Sequence, residues 1–308
     1  MSEIGARMRA AAAGQSWQVE DDDAGESREE QWAGLRQRLV SDLKADAIEI
    51  PPLPKVAVEL HQLATSADPD LRRAQAILER DPQLAGRVAQ VACSPAYGGR
   101  AVTGLEMAIV RLGTTGLRDI AMAVAMGRVF RSKQLDGYVR EQMQHSFSVA
   151  SASRTVCSML GLDPHYGFLC GLFHDIGRLT IGMAVSTYYS ESGREIDMQA
   201  LHDLADAHHE QVGAHILSKW GMHNMVKTVA AHHHTPAKAG AATPMAMAVA
   251  AADAADKIEA ATVEERTAAL TNMAAPYQAG LTSAADMETL ATAVQHAKDD
   301  SVMSSLVS

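Results

Sequence analysis

His174 and Asp175 are adjacent in the run Gly171-Leu172-Phe173-His174-Asp175-Ile176-Gly177, an imidazole and a carboxylate set among apolar residues between two glycines. Burying an ionised carboxylate in such a segment is costly unless a cation or strong donors compensate it. A divalent ion does so, and one carboxylate can bridge two ions while the imidazole binds one. Side chains of the same kind recur in order along the chain. Glu141 and His145 are four apart and share a helix face that Val149 continues. Between 208 and 220 the apolar stripe of Val212/Gly213, Ile216/Leu217 and Trp220 takes in position 209, so His209 points inward and His208 faces water. Val226, Val229 and Ala230 mark a buried face that His233 extends, and His234 follows at the helix end. Asp253 lies on a face with Met245 and Val249 in an Ala-rich helix. The ordered set His145, His174, Asp175, His209, His233, His234 and Asp253 therefore implies a metal site. Mixed imidazole and carboxylate ligands suit iron, manganese, zinc or nickel, and the lack of cysteine in the set argues against structural zinc. The expected cofactor is a divalent metal, iron or manganese, as one ion or two.

Helices must position these residues. Aromatics are only 4% of the chain, while Ala, Leu and Met, all good helix formers, are plentiful. No alternating strand pattern of useful length appears, so the expected fold class is all-α. Proline and glycine punctuate the periodic stretches at Ile50-Pro51-Pro52-Leu53-Pro54, Asp68-Pro69-Asp70, Asp81-Pro82 and Ser94-Pro95-Ala96-Tyr97-Gly98-Gly99. Thr103 is expected to cap a helix through 112, with 113–117 linking to a long apolar helix ending near 130. Further helices are expected over 135–160, 165–173, 176–189, 198–205, 208–220, 224–233, 244–259, 263–274 and 284–297. Residues 1–30 are polar and acidic, with Glu20, Asp21, Asp22, Asp23, Glu26, Glu29 and Glu30 close together, and read as a disordered tail. A helix over 31–45 follows. Residues 46–258 form the main domain, divided into an N-terminal helical subdomain (46–132) and a helical bundle (133–258), with a helical extension over 259–308.

Composition excludes some functions. The net charge is −10, from 27 basic against 37 acidic side chains, and no Lys/Arg run exceeds two. Phosphate-backbone binding needs clustered positive charge, so nucleic acid is not an expected partner. Cys93, Cys157 and Cys170 are widely spaced and odd in number, which reads as ordinary thiols rather than a disulfide framework or a metal motif. The longest apolar run, Met245 to Ala252, falls short of a membrane span, and Ala10 to Ala13 is too short for a signal-peptide core. A cytoplasmic location without membrane contact is expected.

The series His145, His174-Asp175 and Asp253 is similar to the His, His-Asp, Asp series of the HD superfamily of metal-dependent phosphohydrolases. With Glu141, His209, His233 and His234 it resembles the metal-site pattern of HD-GYP cyclic-dinucleotide phosphodiesterases. However, Thr235-Pro236-Ala237-Lys238 lacks the Glu, Asp-Gly and Gly-Tyr-Pro of that class, and Arg178 stands where a Lys is usual. The first half resembles the HDOD domain through Ile50-Pro51-Pro52-Leu53-Pro54, Asp81-Pro82-Gln83-Leu84, Cys93-Ser94-Pro95-Ala96-Tyr97-Gly98 and Val102-Thr103-Gly104-Leu105-Glu106-Met107-Ala108-Ile109 through Leu112-Gly113. His209-Glu210-Gln211-Val212-Gly213 followed by Trp220-Gly221 adds to it. The resemblance covers roughly 46–258. It implies a multi-helix HDOD fold with an HD-like second subdomain and a full metal set that many relatives lack, here Glu141, His145, His174, Asp175, His209, His233, His234 and Asp253.

Two functions follow from the resemblance. The first is a regulatory HDOD protein that acts through a signalling protein partner, with metal or a nucleotide-type small ligand stabilising its fold. The second is a metal-dependent phosphohydrolase acting on a nucleotide or cyclic dinucleotide, with Asp175 in the catalytic centre and Arg178 neutralising phosphate. The first is preferred, because the substrate-side residues of the related enzymes are not visible.

Overall fold

The computed structural model of the protein describes residues 28–44, 52–94, 97–192 and 195–299. The expected acidic tail lies outside them up to residue 27. Among the described residues every regular element is a helix and none is a strand, so the protein is all-α. The chain falls into two compact units, one through Arg38 and one from Leu39 onward. Helix α1 (Arg28–Lys44) begins in the first, where Leu35 is buried. The remaining elements belong to the second.

Four helices open the larger unit: α2 (Lys55–Ala64), α3 (Leu71–Leu78), α4 (Pro82–Ala92) and α5 (Leu105–Val129), with the first three packed on α5. Pro54 introduces α2, which buries Ala57, Leu60 and Leu63 at helical spacing. The Asp70 carboxylate accepts from Arg72 N at the start of α3. Asp81 accepts from Leu84 N at the start of α4, where Pro82 loses no hydrogen bond, and also pairs with Arg128 of α5. The link expected over 113–117 is narrower than that. Only Gly113 leaves the helical region, at φ 65° and ψ 176°, a backbone that glycine adopts without a Cβ clash. Gly104, not Thr103, precedes the helix, and no side chain caps it.

The second group comprises α6 (Asp136–Met159), α7 (Pro164–Phe173), α8 (Ile176–Ser192), α9 (Met198–Lys219), α10 (Asn224–His232) and α11 (Thr243–Asp256). Helix α6 packs on α7 and α11, and α9 on α8 and α10. The two helices expected over 198–205 and 208–220 are one continuous α9. Asp206 and Ala207 interrupt the apolar pattern but sit on its exposed side. Leu201, Leu204, Ala205, His209, Val212, Gly213, Ile216 and Leu217 form one buried stripe. Phe173, fully buried at the end of α7, meets the Trp220 ring edge-on at 6.2 Å. That burial contributes about 1.5–3 kcal/mol and fixes the residue preceding His174.

Three more helices follow, α12 (Val263–Leu270), α13 (Ala274–Ala279) and α14 (Ala284–Asp299), so the helix expected over 263–274 ends at Leu270. Helix α14 packs on α6 and α12. Buried Arg266 donates to the carbonyls of Ala255 and Ile258, tying α12 to the end of α11. Among the described residues one stretch, 164–190, is apolar and long enough to cross a membrane, but 83% of its most apolar window is buried inside the protein. Its apolar surface is thus taken up by α6, α9 and their neighbours.

Candidate metal centre

Small residues allow the helices that carry the histidines to meet. A Cβ on Gly171 would stand 2.7 Å from Ala150 Cα and 2.8 Å from Val149 O, so α7 touches the backbone of α6 just past His145. A Cβ on Gly177 would lie 2.8 Å from Gly213 N and closer still to His209 O, so α8 crosses α9 backbone to backbone. These two contacts flank His174-Asp175. They bring His145 to one side of the pair and His209 to the other.

Asp175 stands between two sets of imidazoles. Its Oδ2 is 3.6 Å from His174 Nε2 and 3.7 Å from His145 Nε2. Its Oδ1 is 3.2 Å from His233 Nε2 and 3.4 Å from His209 Nε2. His145 and His174 present their Nε2 atoms 3.2 Å apart, and His209 and His234 present theirs at 3.1 Å. Asp253 Oδ1 joins the first set at 3.2 Å from His145 Nε2 and 3.6 Å from His174 Nε2. Two groups result, His145–His174–Asp175 and Asp175–His209–His233–His234, each with its ligand-type atoms within 4.8 Å of one another. His174, Asp175, His209, His233 and Asp253 are buried, His145 is half-buried and His234 exposed.

The opposite ring nitrogens are tied back. His174 Nδ1 lies 2.8 Å from Gly171 O, His209 Nδ1 2.8 Å from Ala205 O and His233 Nδ1 3.1 Å from Ala230 O. A carbonyl can only accept, so each Nδ1 carries the proton and each Nε2 is left to the centre. His145 Nδ1 finds a carboxylate instead, Asp256 Oδ2 at 2.8 Å. Such outer partners orient metal-binding histidines.

The electrostatics follow from burial and crowding. Burial raises the Asp175 carboxyl, but His174, His233 and the Arg178 guanidinium outweigh it and hold the group well below the usual carboxylate range. Asp253 is likewise held low against burial by His145, His174 and Lys257. Burial lowers His145, yet the Asp253 and Asp256 carboxylates overcome this and raise it to about 9. Burial takes His209 down to about 4 despite Asp175. In the protein alone, protonated His145 thus supplies positive charge among three carboxylates.

Whether these residues suit a cation can be read from their unsatisfied atoms. Asp175 Oδ1, His233 Nε2 and Asp253 Oδ1 are buried without a hydrogen-bond partner. Such atoms are costly unless something else satisfies them. Asp175 Oδ1 and His233 Nε2 lie 3.2 Å apart, and Asp253 Oδ1 lies beside His145 and His174, donor atoms of the kind that fit divalent ions.

Glu141 differs from the expectation. It is exposed and lies outside both groups, one turn before His145. Arg178 is engaged rather than free, with its Nε on Asp175 Oδ2 at 2.8 Å and Nη2 on Asp206 Oδ1 at 2.6 Å. Two further acidic residues surround the site. Asp256 backs His145, and its other oxygen is 3.3 Å from Lys298 Nζ of α14. Glu210 accepts from His234 N and lies 3.8 Å from His233 Nδ1. Their signal in the sequence was proximity to ligands: Asp256 is one turn after Asp253, and Glu210 adjoins His209.

Known proteins share this architecture. The profile of the HDOD domain matches residues 50–236. An uncharacterized protein of Treponema pallidum (strain Nichols) is 25% identical over 209 residues, covering 62% of this chain and 39% of the relative, so this chain spans about two-fifths of that protein's length. Among solved structures, a Marinobacter aquaeolei VT8 protein provisionally named for signal transduction is 26% identical with a TM-score of 0.64, over 91% of this chain and 67% of that one. A Shewanella amazonensis SB2B protein provisionally named a metal-dependent phosphohydrolase has the same fold, with 21% identity and a TM-score of 0.59 over 85% of this chain and 99% of that one.

Proposed function

The chain belongs to the HDOD domain family, and from that premise we propose that it is a regulatory protein whose histidine/aspartate centre holds divalent metal and whose loaded helical bundle is read by a protein partner. The observation that carries the reading is the position of Asp175, one carboxylate shared by two imidazole groups. His145, His174, Asp175 and Asp253 would hold one ion, and Asp175, His209, His233 and His234 a second. The basic side chains beside the centre favour regulation over turnover. Arg178 is spent on Asp175 and Asp206, and Lys257 on Asp253, which leaves neither committed to a substrate phosphate. The likeness to the Marinobacter aquaeolei protein supports the same reading.

The shared carboxylate also favours a second reading, a metal-dependent phosphohydrolase on a nucleotide or cyclic dinucleotide. Divalent ions there would supply Lewis-acid activation of water and neutralise phosphoryl charge. The chain's own part would be to fix four Nε2 atoms through their Nδ1 bonds and to keep Asp175 ionised.

Elemental analysis of the purified protein, followed by assay of phosphodiester and phosphomonoester release with added manganese or iron, separates the two. Stoichiometric metal without turnover on a broad nucleotide panel supports the regulatory reading. Metal-dependent turnover that Asp175→Ala abolishes replaces it with the second. Failure to find stoichiometric metal by analysis or titration sinks both.

A further inference from the structure

A cavity of about 370 Å³, with His296 on its wall, lies apart from the histidines of the metal centre, near the lower end of small-ligand sites at roughly 300–1,000 Å³. It lies among the end of α4, α5, α6, α7 and α14. Its polar wall is a buried ion cluster. Asp119 takes Arg118 on Oδ1 and Arg154 on Oδ2, while Arg118 also donates to His165 O. Asp119 and Arg118 are 2% and 3% exposed. Two guanidinium groups therefore face one carboxylate, leaving one positive charge in excess. Arg118 is committed by its position. Arg154 borders the cavity with its side chain 32% exposed. The remaining wall is aromatic: Phe147 and Phe168 meet edge-on at 5.8 Å, and the Arg154 guanidinium lies 4.2 Å over the Phe168 ring.

We propose that this cavity binds a small aromatic anion, a carboxylate or a phosphate monoester, through Arg154, with its ring against Phe147 and Phe168. An anion balances the excess charge at the accessible part of Arg154, since a planar guanidinium presents its N–H groups to carboxylate and phosphate oxygens alike. The aromatic wall supplies the apolar half of the site. The site is independent of what the histidine centre does. Its occupant would touch five helices at once, including α6, which also carries His145.

Calorimetric titration of the full chain with phenyl phosphate, benzoate and neutral benzyl alcohol tests this. At least one of the two anions binds saturably at millimolar concentration or tighter, and benzyl alcohol binds at least tenfold more weakly. Arg154→Gln, and separately Ala293→Trp, which fills the cavity from α14 and leaves the ion cluster intact, each weaken the anion tenfold or more, about 1.4 kcal/mol. Asp175→Ala leaves it unchanged. The proposal is overturned if neither anion saturates, if the alcohol binds equally well, if both cavity variants bind like the parent, or if Asp175→Ala abolishes binding.

Discussion

Asp256 accepts the Nδ1–H of His145 at 2.8 Å, and this bond directs the other ring nitrogen of His145 toward the centre. Lys298 of α14 holds the same carboxylate from behind. Removing such an outer partner characteristically costs about 10–100-fold in metal affinity. Asp256→Ala is therefore expected to weaken metal binding by that factor in competition with a chromophoric chelator. Asp256→Asn keeps an acceptor oxygen and loses less. Equal affinity for Asp256→Ala and the parent would show that the bond does not orient His145.

Metal removal should destabilise the fold, because the ligands come from α6, the α7–α8 junction, α9, the end of α10 and α11. An ion that binds only the folded state adds about 2.7 kcal/mol when present at 100 times its Kd. Calorimetric unfolding with and without chelator is expected to show a clear fall in Tm for the parent. Asp175→Ala removes the carboxylate shared by both groups, so its Tm should hardly respond to chelator. A parent that unfolds identically under both conditions would contradict the site.

Much of the centre was legible because helical periodicity distinguishes inside from outside when apolar and polar residues contrast. His209 could be chosen over His208 because Val212, Ile216 and Leu217 mark the buried side of α9, and the structure buries His209. Contrast fails in α11, where alanines occupy most positions around both Asp253 and Asp256 and no stripe separates their faces. Both acids are buried, and periodicity alone does not single out Asp256. Glu141 failed for the opposite reason. Four residues turn a helix about 400°, roughly 40° past a full turn, and since His145 is itself only half-buried, Glu141 comes out exposed. The role expected of Arg178 was invisible to spacing alone, since its position one turn after Asp175 serves an ion pair as readily as a substrate.

The backbone contact of α8 with α9 gives a geometric test. In Gly177→Ala the new Cβ meets His209 O and Gly213 N, backbone atoms that cannot rotate away. Overpacking of this kind costs about 1–3 kcal/mol, and spreading the helices would draw His209 from Asp175. Both Tm and metal affinity are expected to fall. Gly86→Ala is the control, since nothing lies within 4 Å of its added Cβ in α4. There the helix should gain about 0.5–1 kcal/mol. A tolerated Gly177→Ala would contradict the close crossing.

Metal binding should also release a proton whose source can be named. His145 is raised to about 9, so at pH 7 the metal-free protein carries a proton on each of its ring nitrogens. A metal ligand must give up the proton on Nε2. His209, lowered to about 4, is already neutral, and Asp175 and Asp253, held low, are already ionised, so none of them adds to the release. The His145 proton should therefore leave on loading, and that proton makes apparent affinity rise about tenfold per pH unit until pH approaches 9. The same shift has the reverse sign for the metal-free fold. Its folded pKa lies above the unfolded value of 6.5, so the stabilisation it contributes is complete below pH 6.5 and is lost as pH rises through about 9. Calorimetric titrations at pH 7 in buffers of different ionisation enthalpy give the proton count directly. A count of zero would mean that His145 is neutral before metal arrives, and that its two carboxylate neighbours do not control it.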